Sequence, residues 1–493
     1  MRKLFIYSSI VMVGLAGSGC NKFLEKDPDS NRAVINSPEQ VSQLLVSAYP
    51  KGGYVMLAEC MSDNVIDKGQ GGDYIVNREA YMFQEGSSSV DNQDSPAMLW
   101  TEAYNAISSA NHALEAIKNA PNPEDYQAQK GEALVCRAYA HFILVTFFSK
   151  FYDPATADSD PGVPYVDEVE DVVIKKYERK TVAYVFQRIE EDLLAGLPLI
   201  QDKYYEVPRY HFNRAAANAF ASRFYLVKKQ WDKVLQYAAA AFPAGNIADH
   251  MRPWLSWSSY DPYQIWSVYN RASTVSNLLL VETGSLFGRM YSFRYAHTNP
   301  KLNENWAIKA ICGNPSWIFQ SKIYTAGTLN YLVPKLGEYF VAESVNANFG
   351  QPYVMVPLFD TEEVLFNRME AKIYTEDYEG ALADMNLYVS KRAQNYNPVS
   401  NAVTEASLMA YAGNPADKKD AYIKGMLGLK RMEYLMQGLR WFDMQRYKIP
   451  VSHPVYSTSG TLIETIEIGP DDPRRVLQLP NTATLAGLEL NPR

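Results

Sequence analysis

The apolar positions of this chain return mostly at helical intervals. Over residues 97–119, Leu99, Ala103, Ala106, Ala110, Ala113 and Ile117 recur every three or four positions, which predicts a helix ended by Pro121 and Pro123. A second helix is expected over 124–151, with Leu134, Ala138, Phe142 and Val145 on one stripe and Asp153-Pro154 as its stop. A loop rich in Pro and Asp follows at 158–167. Helix resumes at Thr181, a good N-cap, with Val185, Ile189, Leu193 and Leu197 as the stripe. Asn213 opens another helix, and a turn at Lys229-Gln230 leads into a further one over 231–241.

Two of these stretches repeat. Arg223-Phe224-Tyr225-Leu226 leads into Trp231-Asp232-Lys233-Val234-Leu235. Glu370-Ala371-Lys372-Ile373 leads into Tyr378-Glu379-Gly380-Ala381-Leu382, 147 residues later. The pattern resembles tetratricopeptide-type helix pairs, in which an aromatic wedges between helices and a small residue lets them approach. The wide offset implies repeats interrupted by an insertion. Helical signal fades between about 243 and 351, where Gly, Pro, Asn, Ser and Tyr concentrate. There 275–283 and 353–358 read as short strands. So long an irregular stretch in a compact fold points to function.

The N-terminus reads as an address. Arg2 and Lys3 precede an apolar run over 4–15, too short for a bilayer core of about 30 Å. Ala16-Gly17-Ser18-Gly19-Cys20 follows and resembles a bacterial lipobox, with Gly17 where Leu is usual. This implies a signal peptide over 1–19 and lipidation of Cys20. No later run approaches 18 apolar residues, so no transmembrane helix is expected. Cys60, Cys136 and Cys312 lack any C-x-x-C spacing. With Cys20 lipidated, at least one of the three is unpaired, and Cys136 in its apolar stripe reads as core. Arg2 and Lys3 are the only charges in 1–19, so the net charge of −8 becomes −10 on processing. An acidic chain does not suit nucleic-acid backbone. Its 35 Tyr suit half-wet recognition surfaces.

A set of motifs resembles one family. Cys20-Asn21-Lys22-Phe23-Leu24-Glu25-Lys26-Asp27-Pro28 and Ile35-Asn36-Ser37-Pro38-Glu39-Gln40 open the mature chain, with Leu44-Leu45 and Ala48-Tyr49 after them. Trp100, Tyr104, Ile107, Ala110-Asn111 and Leu114 mark a first repeat helix. Arg137-Ala138-Tyr139-Ala140-His141-Phe142 and Asp160-Pro161-Gly162-Val163-Pro164 mark a second helix and its exit. Arg179-Lys180-Thr181-Val182 and Ile189-Glu190-Glu191-Asp192-Leu193 continue the pattern. Arg431, Glu433, Gly438-Leu439-Arg440-Trp441-Phe442-Asp443 and Arg446 form the last long helix, and Leu479-Pro480 and Asn491-Pro492 the ending. Together they resemble the SusD/RagB outer-membrane lipoproteins of Bacteroidetes, over about three quarters of the mature chain. Met436-Gln437 departs from the family's aromatic–Glu pair, and about 245–350 is unmatched.

The resemblance implies a mostly α SusD-like fold of tetratricopeptide-type helix pairs with a loop-rich, partly irregular insertion. It divides the chain into a signal peptide (1–19), an N-terminal SusD-like region (20–242), the insertion and candidate ligand region (243–355) and a C-terminal RagB/SusD region (356–493). It implies a lipid-anchored protein on the exterior of the outer membrane. Such a protein would act as a nutrient-binding lid on a SusC-like TonB-dependent transporter, with a glycan as the usual ligand and peptides as a rarer one. It implies no catalysis, no cofactor and no nucleic-acid partner.

Sugars present an apolar C–H face and a hydroxyl rim, which aromatic faces and polar side chains cover. Trp254, Trp257, Tyr260, Tyr263, Trp266 and Tyr269 recur every three residues. Arg252, Asp261, Gln264, Asn270 and Arg271 lie nearby, and Asp261-Pro262 starts a short helix with Tyr263 and Trp266 on one face. A second group is Tyr291, Arg294, Tyr295, Trp306 and Trp317. A third is the Gly-rich loop over 63–81 with Asp73, Tyr74, Asn77 and Arg78. For any single ring the alternative is packing. Trp100, Trp231 and Trp441 lie in helical stripes and read as core, as does His141, while Glu190-Glu191-Asp192 reads as a solvated face. The six His show no H-E-x-x-H spacing, and phosphate-loop, nucleophile-elbow and EF-hand signatures are absent. An irregular calcium site stays open. Besides glycan capture, peptide capture and a non-binding helical scaffold of an outer-membrane complex stay open.

Overall fold

The computed structural model describes residues 35, 37–85, 92–170, 172, 175–327, 329–345, 347 and 349–493. The signal peptide, Cys20 and the rest of the opening motif through Pro28 lie outside the described residues.

Helix α1 (Pro96–Asn119) starts where the Ser95 hydroxyl accepts the Met98 N–H at 3.1 Å and Pro96 takes the first helical position. It packs on α2 (Gln127–Phe148), which also packs on α3 (Val182–Gly196). Gly131 and Gly196 permit the second contact. A Cβ on either would stand 3.0 Å or less from the other's carbonyl oxygen, so the helices could not close. Helix α2 is long and apolar enough by composition to cross a membrane, contrary to the expectation from run length, but its apolar window is wholly buried among other helices. The expected caps at Thr181 and Asn213 are present, accepting the N–H groups of Tyr184 and Ala216.

The interrupted repeats are neighbours in space. Helices α4 (Arg214–Val227) and α5 (Trp231–Ala241) form one pair, and α6 (Thr361–Tyr374) and α7 (Tyr378–Ser390) the next. Helix α5 packs directly on α6, and Trp231 stacks on Tyr374 with centroids 4.1 Å apart and planes at 5°. Trp231 is therefore a half-buried wedge between repeats, whereas Trp100 and Trp441 are buried as expected. Helices α8 (Glu405–Ala412), α9 (Lys418–Glu433) and α10 (Leu439–Arg446) follow, with α9 against α6. The fold is mostly α, as expected.

Between α5 and α6 the chain builds a three-stranded antiparallel sheet. Strand β1 (Asn277–Gly284) overlaps the stretch expected over 275–283, beginning two residues later, and β3 (Gly350–Asp360) contains the one expected over 353–358; β2 (Glu338–Ala342) adds an edge in the order β1–β3–β2. β3 runs straight into α6, where the Asp360 carboxylate caps the Glu363 N–H at 2.9 Å. A hairpin of β4 (Val451–Tyr456) and β5 (Leu462–Ile468) lies near the C-terminus.

A buried charge network ties this insertion to the helices. Arg392, just after α7, donates to Glu362 and Glu433 at 2.8 Å each. Glu362 also accepts the Arg252 backbone N–H, and Arg252 donates to Tyr269 O and Asn277 Oδ1 at 2.9 Å. Lys335 donates to Gln437 and to the Glu433 carbonyl. Arg223 of α4 holds Glu363 through two bonds. Arg252 and Asn270, grouped from the sequence as sugar-binding partners, therefore belong to the frame, and Asn270 donates to Lys335 O at 2.9 Å.

The motif residues behave alike. Arg137 grips Asp192 through two 2.7 Å bonds, Arg440 grips Asp63, Lys430 holds Asp443 and Arg446 pairs with Glu370. The expectation of a solvated face at Glu190-Glu191-Asp192 is corrected. Asp192 is buried under Arg137, and Glu190 bonds Lys228, Lys233 and Tyr225, so only Glu191 is exposed. His141 is core, as expected. Its ring stacks on Tyr165 at 3.8 Å and its Nε2 accepts the Val166 N–H, while burial pushes its pKa down to about 3 and keeps it neutral. Cys60, Cys136 and Cys312 are buried free thiols.

Truncating one partner of a buried ion network strands the others in low dielectric. Arg392→Ala should therefore lower stability by about 3–5 kcal/mol, read as a drop in urea midpoint and Tm. An unchanged midpoint would show that the network contributes no net stability.

Candidate functional site

The first aromatic group divides by exposure. Pro253 and Pro262 break it into a turn and the short helix Pro262–Tyr269, so its three-residue spacing does not line one face. Trp254 is 1% exposed, with Trp257, Tyr269 and Phe319 around it. Trp257, Tyr295, Trp306 and Trp317 are buried too, so these five candidates are packing residues. Trp306 meets Phe319 edge-on, Trp317 packs on Tyr388, and Tyr295 stacks on Tyr81 at 4.6 Å.

Tyr263 points the other way and is 63% exposed. Its helix has the expected start, a reciprocal cap between Asp261 and Gln264. Trp266 is half-buried, 6.4 Å from Tyr263, and lies so close over Gly337 that a Cβ there would overlap the indole. Exposed Tyr324 also stands 6.5 Å from Tyr263. Half-buried Tyr260 lends its carbonyl to Lys322 at 2.7 Å, and Lys322 also donates to Ser258 O, fixing the two segments together. Arg271 is exposed in the loop after the helix.

Tyr324 was missed from the sequence. It sits on a hairpin of Tyr324–Ala326 and Asn330–Leu332, with Gly327 at φ +67° in the turn. Ile-Tyr-Thr and Asn-Tyr-Leu flanking a glycine were the available signal. The hairpin joins the first group to the others. Asn330 Oδ1 accepts from Lys68 Nζ at 2.8 Å, and Lys68 also donates to the Tyr291 carbonyl at 3.1 Å. Burial pushes the Lys68 ammonium down to about 8.

The second and third groups, more than 200 residues apart, meet here. Gly72 donates to Ser292 O at 2.9 Å and Arg294 returns a bond to Gly72 O. Tyr74 packs its ring on Phe293 at 5.3 Å, and Asp73 pairs with Arg78 at the surface. Arg294 is a clamp, giving Asp67 two bonds of 2.7 and 2.8 Å. Asn77 is buried, donating to Tyr295 O. A chain of contacts thus runs from Tyr263 and Trp266 through Tyr324 and its hairpin to Lys68 and Tyr291, and on to the loop with Asp73, Tyr74 and Arg78, all exposed or half-buried.

The Tyr74 hydroxyl donates to Gln93 O, and the next residue, Asp94, locks the segment down. Asp94 holds φ +64° and is buried. Its carboxylate accepts from the Ser285 hydroxyl at 2.5 Å and the Leu286 N–H at 2.9 Å. Burial pushes its pKa up to about 7, against these two bonds.

These residues offer ring faces and hydroxyls, the chemistry of non-covalent capture. Asp73 is engaged with Arg78, and Asp261 caps a helix. Among the described residues no group of three His, Cys, Asp or Glu side chains could hold a metal ion. A separate groove of about 350 Å³ lies along α1, between Trp100, Tyr104 and Tyr177 and the C-terminal segment at Ala483 and Leu488.

Residues 22–226 match a family model described as SusD-like, starch-binding associating with outer membrane. No curated protein matches the chain. Among solved structures, a SusD superfamily protein from Bacteroides thetaiotaomicron is 18% identical with a TM-score of 0.68, the match covering 93% of this chain and 100% of that one. A SusD superfamily protein from Bacteroides vulgatus is 17% identical with a TM-score of 0.68, covering 93% and 99%. A SusD-like carbohydrate binding protein from the same organism is 15% identical with a TM-score of 0.64, covering 92% and 96%.

Between pH 4 and 7 folded Asp94 keeps a proton that the unfolded chain, with an ordinary pKa of about 3.9, has released. Its contribution to stability therefore falls as pH rises through that window. Asp94→Asn should remove this slope, so the Tm of the variant should gain on the wild type from pH 4.5 to 7.5. Parallel Tm–pH curves would contradict it.

Proposed function

We propose, on the premise that this chain is a SusD-like protein in residues 22–226 and in its fold, that it binds an oligosaccharide or polysaccharide on the face built around Tyr263 and Tyr324. The observation that carries the reading is the exposure of these two rings, 6.5 Å apart, Tyr263 on the short helix and Tyr324 on a hairpin whose Asn330 is held by Lys68. An exposed aromatic held by a rigid backbone and rimmed with donors and acceptors suits a sugar face and its hydroxyls. Solvent-facing tyrosines with no packing role are otherwise without an energetic reason to cluster.

The lipobox-like Cys20 and the outer-membrane wording of the family description support a lipid-anchored protein at the outer-membrane surface. There it would hand its ligand to a SusC-like transporter as a lid. Arg78 and Arg294 are paired with Asp73 and Asp67, and Lys68 is bonded to Tyr291 O and Asn330, so the surface suits a neutral glycan.

The test is affinity electrophoresis of residues 21–493 through gels holding starch, xylan, pectin, mucin and microbial polysaccharides. Retardation by one of them is expected. Tyr263→Ala with Tyr324→Ala should weaken that binding about tenfold with unfolding unchanged, since each stacked ring is worth roughly 0.5–1.5 kcal/mol beyond its area. Trp254→Ala should act through the core instead, costing about 3–5 kcal/mol of stability by opening a cavity. Affinity for peptides with no glycan retention would select peptide capture.

A further inference from the structure

The outer face of the β1–β3–β2 sheet carries a second set of rings, within the insertion but outside the three residue groups singled out from the sequence. The register places Gly284, Tyr353 and Tyr339 in one row across the three strands. Glu282 and Met355 form the row on one side, and Gln351 and Val341 the row on the other. Residues two apart on a strand share a face, so these seven side-chain positions are on one surface. The opposite side of β1 and β3 is buried, through Val281, Thr283, Val354 and Val356.

The two tyrosines stack side by side, with centroids 5.9 Å apart and planes at 26°. Tyr339 is 38% exposed and its hydroxyl donates to Glu282, which fixes the ring. Gln93 Nε2 donates to Gln351 Oε1 at 3.0 Å and to Pro352 O, so a carboxamide pair borders the rings and connects them to the 92–95 segment. Gly284 places no side chain beside Tyr353. The charged side chain on these rows is Glu282, and no cation stands among them to favour phosphate or nucleic acid.

We infer that this face is a second saccharide-contact surface, engaging a neutral stretch of a polysaccharide already held at Tyr263 and Tyr324. The ligand class rests on the glycan reading above. The exposed Tyr339 ring, stacked on half-buried Tyr353, meets an apolar C–H face. The Gln351 and Gln93 carboxamides and the Glu282 carboxylate meet hydroxyls.

Hydroxyl-radical footprinting of the wild-type mature protein tests this, with and without the polysaccharide that retards it most. Oxidation of Tyr339 and Tyr353 should fall severalfold at saturation. Tyr339→Ala with Tyr353→Ala should weaken polysaccharide binding about tenfold, and Tyr339→Phe with Tyr353→Phe should keep most of it. If the alanine pair misfolds, the wild-type footprint decides. Unchanged oxidation of both tyrosines, with Tyr263 and Tyr324 protected, would overturn this surface and leave the glycan reading standing. A protein that binds no polysaccharide in the panel would overturn both.

Discussion

Everything this protein displays at its surface hangs on a set of charges it has hidden. Arg392 bridges Glu362 and Glu433 in the interior, while Arg252, Lys335 and Arg223 complete a group in which basic and acidic side chains alternate. Such a network gains little over a well-packed apolar core, because desolvation consumes most of the attraction. Its value is geometric. Arg252, Asn277 and Lys335 come from the insertion, Glu362 and Glu363 from the start of α6, Arg392 from just after α7 and Glu433 from the end of α9. Any register but this one would leave a buried charge unpaired, so a stretch with little regular structure acquires a single position on the helical frame.

That anchoring explains the division of labour among the aromatics. The insertion has to be packed before it can present anything, and indoles supply the most apolar area per residue. Trp254, Trp257, Trp306 and Trp317 face inward with Phe319 and Tyr388. Tyrosines, with a polar tip that water can satisfy, take the outward positions 263, 324, 339 and 353. The surface is then tied across long sequence distances by side-chain hydrogen bonds. Lys68 reaches Tyr291 and Asn330, Arg294 reaches Asp67, and Asp94 reaches Ser285 and Leu286. Loops so held can offer ring faces without paying ordering entropy on binding.

The helices, several of their caps and both longer strands of the sheet were legible in the sequence, because periodicity and capping are local properties. The interrupted repeat was legible as well, since Trp231 and Tyr378 keep their place relative to the helices before them, and the structure shows why. α5 touches α6 as if the 119 residues from Phe242 to Asp360 were absent. The site was legible only as a pool of candidates. Spacing of three among Trp254, Trp257, Tyr260, Tyr263 and Trp266 suggested one face, but two prolines split the segment and sent its halves in opposite directions.

The amino-acid sequence by itself thus determined the mostly helical class, the repeat pairing and the chemistry available, an excess of tyrosine, since these depend on composition and short-range order. Which rings face water was decided only by tertiary structure. Trp254, Trp266 and Tyr263 belong to the same local pattern; Phe319 packs on Trp254 and Gly337 on Trp266, each from distant sequence, while Tyr263 meets only the exposed Tyr324 ring beside that half-buried Trp266. Burial is a property of the assembled layers, and a local pattern carries no information about the partner that covers it.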